Sequence, residues 1–469
     1  MAKLSSTRRG TDPASPHPPL PWVVVGRTVL PIAMCLLGCV LAVSCSLVEG
    51  LLGARSAEGV PVARKTSFHG WRQCWRLTNG LVRVTAVPQI GGRPLEYALG
   101  ECNFLFIGKP DLGATVDAQR GPGYRYFGGS FTQLHPEDRW VRLQSSYPPD
   151  LFMGRYEAEA AQGEGGAAAV DLTSPPDLAS GTRLVRRLEL FPGCTRLRIT
   201  DTLTNLRPVS QEWGIHSVLQ LKGVAVPDGI LRGNERPSGD LTLYVPLSAK
   251  SAHKGGVTYV TGGEGTRRGS DQWNTRELPG ILTLRYAREF GKALVDPELP
   301  WVALADRRSG YVFVQKCRVP EKAILSAGAA LTPYPFIEVQ CFGTPTRLGP
   351  GETSMLVQDW WAACCRGPVV DVTQAGVVSS PLKLLQGGGR TWLAGAFGVF
   401  YVGRADLVFQ AADGAELARL GCGFVTPLRP FTLNRAADVP PRTARVILEV
   451  RDAAGQPVGD LGRLVLGAP

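Results

Sequence analysis

The sequence contains no CxxC pair, no HExxH, no P-loop and no complete GxGxxG, which removes the commonest zinc, metalloprotease and nucleotide-binding chemistries. It also lacks a basic run. The formal net charge is +11, but arginines such as Arg183, Arg186, Arg196 and Arg198 stand singly, so the charge reads as solubility or a preference for polyanions and not as a nucleic-acid-binding stripe. Long helical stretches are scarce, because 56 Gly and 37 Pro punctuate the chain. What is present suffices for a core: 44% of the residues are hydrophobic and only 19% charged, unlike a disordered chain. With 469 residues, two folded units behind an N-terminal segment are the natural expectation.

The first fifty residues differ from the rest. A polar, Pro-rich stretch with Arg8, Arg9 and Arg27 precedes the apolar run TVLPIAMCLLGCVLAVSCSLV, the pattern of an export signal or membrane anchor. Two cysteines sit where a lipoprotein signal places its modified residue, in Leu36-Leu37-Gly38-Cys39 and in Ala42-Val43-Ser44-Cys45. Cys45 is better placed relative to the end of the run, and the small Ser44 suits cleavage. The alternative is an uncleaved helix, since the run from Thr28 to Val48 approaches the roughly 20 residues that cross a bilayer. Either reading expects an exported, membrane-anchored chain whose bulk faces an extracytoplasmic space. Eight cysteines follow Cys45. Their even count permits disulfides in such a compartment, but wide spacing and apolar neighbours favour buried single thiols.

From Trp71 onward, short alternating segments are separated by Gly, Pro, Asn and Asp. Leu81–Val87, Leu184–Phe191 and Leu197–Asn205 alternate or carry β-branched residues as half-buried strands do, and Pro192-Gly193 marks a hairpin turn. The expected class is all-β, with large antiparallel sheets packed face to face. A composition shift near Cys364-Cys365-Arg366-Gly367-Pro368 sets off a tail whose strands are joined by Asp-Gly and Ala-Gly turns. The expected organisation is therefore a signal or anchor segment with linker (1–60), a large β domain (61–366) and a small immunoglobulin-like β-sandwich (367–469). The tail shows no catalytic cluster, and no internal repeat is evident.

Three segments carry a resemblance. Leu77-Thr78-Asn79-Gly80 running to Ile90-Gly91-Gly92-Arg93 resembles the opening hairpin of galactose-mutarotase-like proteins and of an uncharacterised bacterial family related to them. Leu197–Asn205 followed by Trp213-Gly214-Ile215-His216-Ser217-Val218-Leu219-Gln220-Leu221 is similar to the strand pair that delivers a catalytic histidine in aldose epimerases. Tyr334-Pro335-Phe336-Ile337-Glu338-Val339-Gln340, followed by Leu348-Gly349-Pro350-Gly351-Glu352, looks like the epimerase strand with the catalytic glutamate. The resemblance covers about two-thirds of the chain and implies a β-supersandwich. It also implies a carbohydrate ligand, Glu338 as base toward the anomeric hydroxyl and His216 as acid toward the ring oxygen, with no metal and no organic cofactor. His135 lies where epimerases place another histidine, and Arg93 would bind a sugar hydroxyl or carboxylate.

Strand parity tests this from the residues. Trp213, Ile215, Leu219 and Leu221 share a core face, which leaves His216 with Glu212, Val218 and Gln220. Ile337, Val339 and Cys341 share another, which leaves Glu338 with Tyr334, Phe336, Gln340 and Phe342. Aromatics mixed with hydrogen-bonding groups suit a concave sugar site, with Gln220 and Gln340 as further contacts. Each residue also has a plainer role: His216 satisfied by Glu212 or solvent, Glu338 facing solvent on an outer sheet, Arg93 paired with Glu96 or capping a turn, and His135 in a surface loop. Trp140, Trp273 and Trp301 belong either on sugars or in the core. Two readings follow. A non-catalytic, extracytoplasmic carbohydrate-binding module, for neutral or acidic glycans, is supported because the aspartate with which epimerases grip sugar hydroxyls is not found. A cofactor-free aldose 1-epimerase or sugar isomerase is supported by the matching order of the motifs.

Overall fold

Leu197–Asn205 shows how alternation becomes architecture. Its odd-numbered residues are buried and the even-numbered ones between them half-buried, so one face enters a core and the other does not. The same logic repeats along the computed structural model, which describes residues 59–116, 125–139, 149–261, 272–317, 323–329, 332–387 and 389–466. The export or anchor segment, Cys45 and Trp140 lie outside the described residues. Among the described residues no helix is long and apolar enough to cross a membrane.

A ten-stranded antiparallel sheet runs in the spatial order Trp273–Leu278, Ile281–Leu284, Leu241–Pro246, Trp301–Asp306, Tyr311–Cys317, Thr353–Cys364, Leu197–Asn205, Thr182–Leu190, Ala168–Thr173 and Glu157–Gln162. The hairpin expected at Pro192-Gly193 joins two of these strands, with Gly193 in the left-handed region at φ 65°. Facing this sheet is one of seven strands: β1 (Gly129–His135), β2 (Gln211–Lys222), β3 (Val257–Thr261), β4 (Gly291–Val295), β5 (Ala323–Ala329), β6 (Thr332–Phe342) and β7 (Thr346–Leu348). Its order is β3-β4-β5-β6-β2-β1, and β7 pairs with the first residues of β2. Leu184, Leu188, Ile199 and Leu203 from the first sheet meet Ile215, Leu219, Val339 and Cys341 from the second in one large core. Trp273, 2% exposed, belongs to that core, and Trp301, 4% exposed, to a neighbouring one, so both tryptophans are core residues. A five-stranded sheet beginning at Val62 contributes Leu77, Val84 and Tyr97 to the large core.

Polar groups pin the two large sheets together. Arg186 and Asp201, both fully buried, pair at 2.8 Å, while Arg186 Nη1 donates to the carbonyl of Ser130 at 2.9 Å and Thr132 Oγ1 to Asp201 Oδ2 at 2.8 Å. Lys222 of β2 reaches Asp306 in the facing sheet at 3.0 Å, and Gln358 Nε2 donates to Ser217 Oγ at 2.8 Å. Each contact satisfies groups that would be costly to bury alone.

The C-terminal strands form two four-stranded sheets that enclose a separate core built on Leu393, Phe397, Leu407, Phe409, Leu448 and Val450. Trp361, Val369, Val377 and Phe400 share another cluster that joins this small sandwich to the ten-stranded sheet. The chain is thus all-β, as the alternation and punctuation of the sequence require.

Candidate functional site on the seven-stranded sheet

Register fixes which side chains of β2 and β6 are neighbours. Gln220 stands directly opposite Glu338, Val218 opposite Gln340 and His216 opposite Phe342. The first row extends across the sheet from Lys292 on β4 through Ser326, Glu338 and Gln220 to Gly129 on β1. Because directly opposed residues share a face, Glu338 and Gln220 lie on the side of the sheet turned away from Ile215, Leu219 and Val339.

Glu338 is half-buried and lies between two amides. Gln220 Nε2 donates to its Oε2 at 2.8 Å, and Gln340 Nε2 donates to its Oε1. Burial lifts the Glu338 carboxyl above the usual carboxylate value, against the two amide hydrogen bonds and the charge of Lys292, which pull it down. Gln220 is 1% and Gln340 8% exposed. With their amide nitrogens committed to Glu338, the oxygens Gln220 Oε1 and Gln340 Oε1 are buried acceptors without a hydrogen bond among the described residues. Near the strand end, Phe336 stacks on Phe106 at 5.2 Å, and Tyr334 lies 5.3 Å from the same ring.

His216 belongs to a different part of the face. It is 2% exposed and stacks on Phe342 at 4.2 Å with an interplanar angle of 17°. Glu212, its alternative partner from the sequence, is held by Arg139 at 3.2 Å. From the register, the Cα atoms of His216 and Glu338 are four residues apart along adjacent strands, about 13 Å. An acid and a base acting on the adjacent anomeric and ring oxygens must each come within hydrogen-bond reach of one sugar. The strands alone do not bring this pair together.

His135 is the last residue of β1 and not part of a surface loop. It is 8% exposed, with Nε2 2.6 Å from the carbonyl oxygen of Gly343 and its ring edge-on to Phe342. Arg93, expected either to contact a ligand or to pair with Glu96, is held by backbone carbonyls. At 1% exposure it donates to the carbonyls of Ile90, Gly128 and Phe152 at 3.2, 3.0 and 3.1 Å. Its guanidinium lies 4.3 Å from the ring centroid of Phe131. Ordering of these backbone segments by a planar five-donor group accounts for the position. Glu96 is instead engaged by Arg76, Arg83 and Thr85.

Sequence reasoning missed a cleft at the far end of β2, lined by Arg139, Arg207, Glu212, Trp213 and Arg347 among others. The direct opposition of Glu212 and Arg347 was not readable without the register. Among the described residues no group of three or more His, Cys, Asp or Glu is placed to hold a metal ion.

No family model matches the chain, and no curated protein matches it. Among solved structures, it is similar to the Slr1438 protein from Synechocystis sp. PCC 6803, with 14% identity and a TM-score of 0.44, over 64% of this chain and 99% of that one. It is similar to a galactose mutarotase-like protein from Clostridium acetobutylicum, with 10% identity and a TM-score of 0.44, over 65% of this chain and 99% of that one. A galactose mutarotase-like protein from Lactobacillus casei ATCC 334 shows 14% identity and a TM-score of 0.38, over 64% of this chain and 99% of that one. All three scores fall below 0.5, so the architecture stands on the chain's own two facing sheets.

Proposed function

We propose that the large β domain binds carbohydrate on the face carrying Gln220, Glu338 and Gln340, and that it does so without epimerising the sugar. The observation that carries this reading is the arrangement of the three polar groups. Both carboxylate oxygens of Glu338 are already accepting amide protons, and two buried amide oxygens are left as acceptors. Both amide oxygens are closed to solvent, and leaving such buried acceptors unmatched costs about 1–3 kcal/mol each; sugar hydroxyls are donors of the right kind for them once the amide side chains turn outward. The raised Glu338 carboxyl favours the epimerase reading, since a base poised toward neutrality is what that chemistry needs. The separation of His216 from Glu338 in the register weighs against it.

The test is polarimetry and proton NMR of freshly dissolved α-anomers of glucose, galactose and galacturonate with the full chain in detergent. We expect no accelerated equilibration, together with saturable line broadening of at least one sugar that is lost in Gln220→Ala. Accelerated equilibration that disappears in Glu338→Gln would overturn the reading in favour of an epimerase. Placement outside the cytoplasm rests on the apolar run from Thr28 to Val48, with Cys45 as the proposed lipidation site. Metabolic fatty-acid labelling that is lost in Cys45→Ser is the expected result, and unchanged labelling would refute Cys45.

A further inference from the structure

The cleft at the start of β2 has a volume of about 730 Å³, within the range of small-molecule sites, roughly 300–1,000 Å³. Its wall carries three guanidinium groups, Arg139, Arg207 and Arg347, against one carboxylate, Glu212. Arg139 takes that carboxylate at 3.2 Å and places its guanidinium 5.4 Å from the ring centroid of Trp213. Arg207 directs Nη2 at the carbonyls of Leu178 and Ala179, at 2.9 and 3.3 Å, contacts that position its head without neutralising it. Arg347 is exposed, stands opposite Glu212 in the pairing of β2 with β7, and forms no ion pair or side-chain hydrogen bond among the described residues. Two of the three positive charges are therefore unbalanced within one concave wall. Like charges lining one cleft repel one another, and an anion bound there offsets that repulsion.

We propose that this cleft is an anion subsite for the carboxylate of an acidic saccharide, with Arg347 and Arg207 as the charge-bearing contacts. A guanidinium offers a planar fork that matches a carboxylate two bonds at a time, which an ammonium group does not. The saccharide part of the assignment rests on the carbohydrate reading above, whereas the anion part rests on the cleft alone. Glu212 lies eight residues from Gln220 on the same strand, about 26 Å, so the two sites are separable by mutation.

The experiment titrates the full chain in detergent with sodium galacturonate, with galactose and with sodium sulfate, following ligand line broadening at low and at physiological salt. Wild type is compared with Arg347→Glu and Glu212→Gln, and thermal unfolding confirms that each variant is folded. Galacturonate is expected to bind more tightly than galactose, to weaken about tenfold in Arg347→Glu and with added salt, and to tighten in Glu212→Gln. Galactose is expected to be indifferent to both substitutions. Galacturonate affinity unchanged in folded Arg347→Glu would overturn the subsite, even if galactose still binds at the Glu338 face. Sulfate bound through Arg347 with no response to either sugar would keep an anion site but overturn its saccharide assignment, along with the carbohydrate reading.

Discussion

Gln220 and Glu338 stand directly opposite each other on adjacent strands, and the Gln220 amide donates to the Glu338 carboxylate at 2.8 Å. Burial nevertheless raises the Glu338 carboxyl above its ordinary value of 4.5. A raised carboxyl binds its proton more tightly in the folded than in the unfolded chain. Its contribution to stability is therefore fully present below pH 4.5 and is lost as pH rises through the folded value. Glu338→Gln removes this loss. The new amide keeps an acceptor for one neighbour and gains a donor for Gln220 Oε1 or Gln340 Oε1 once that side chain rotates. The variant is expected to be at least as stable as wild type at pH 7, with a flatter dependence of melting temperature on pH above 4.5. A marked drop in melting temperature at pH 7 would contradict this account.

The ion pair of Arg186 and Asp201 makes the opposite prediction. Both side chains are fully buried, and their further hydrogen bonds run to Ser130 and Thr132 on the facing sheet. Removing one partner leaves a buried charge uncompensated, at a cost of about 3–5 kcal/mol. Arg186→Met or Asp201→Leu alone should lower the denaturant midpoint strongly. The double variant should recover much of the loss, because two apolar groups facing Leu184, Leu188 and Ile199 have nothing left to neutralise. Additive losses in the double variant would refute this coupling.

That pair also marks the limit of what the sequence discloses. Both strands are visible in it, since Leu184, Leu188 and Leu190 alternate on one side, and Leu197, Ile199 and Leu203 on another. The same alternation puts Arg186 and Asp201 on those apolar faces, a conflict that sequence alone can flag but not resolve, because it does not show which strands pair. Parity likewise groups Gln220 with His216 and Glu338 with Gln340. Only the register reveals that Glu338 meets Gln220 and not His216. Arg93 eluded the sequence for a related reason: its partners are backbone carbonyls of Ile90, Gly128 and Phe152, and carbonyls carry no residue-type signal. The cleft of Arg139, Arg207 and Arg347 is assembled from three segments far apart in the chain.

Gly214 sets the position of His135. A Cβ at this position would lie 2.1 Å from His135 Nε2, and the ring cannot retreat cheaply because Phe342 stands against it and the carbonyl of Gly343 lies 2.6 Å from Nε2. Gly214→Ala is expected to destabilise the domain by about 1–3 kcal/mol through overpacking and to shift the His135 ring resonances in a histidine-selective NMR spectrum. Ala in place of His135 in the same chain should relieve most of that cost. A neutral Gly214→Ala variant would show that the ring moves aside freely.

The cysteines yield a prediction about reactivity. All eight cysteines after Cys45 are free thiols, with Cys74, Cys102, Cys194, Cys317, Cys341 and Cys365 buried. Burial pushes the Cys74 and Cys194 thiols up to about 11 and raises those of Cys102 and Cys365. At Cys317 the hydrogen bond with Cys341 contributes most, followed by burial. The thiolate is the nucleophile toward alkylating reagents, and its fraction falls tenfold for each unit by which the thiol rises above the ambient pH. Lys222 Nζ lies 3.2 Å from Cys102 Sγ, but its charge is shared with Asp306 at 3.0 Å, and burial outweighs it. Native-state alkylation at pH 8, read peptide by peptide, should therefore modify the half-buried Cys364 and Cys422 first. Cys74, Cys102 and Cys194 should remain unmodified until the chain is unfolded in guanidinium. Rapid native labelling of Cys102 would show that Lys222 activates that thiol and that the link between the two large sheets opens in solution.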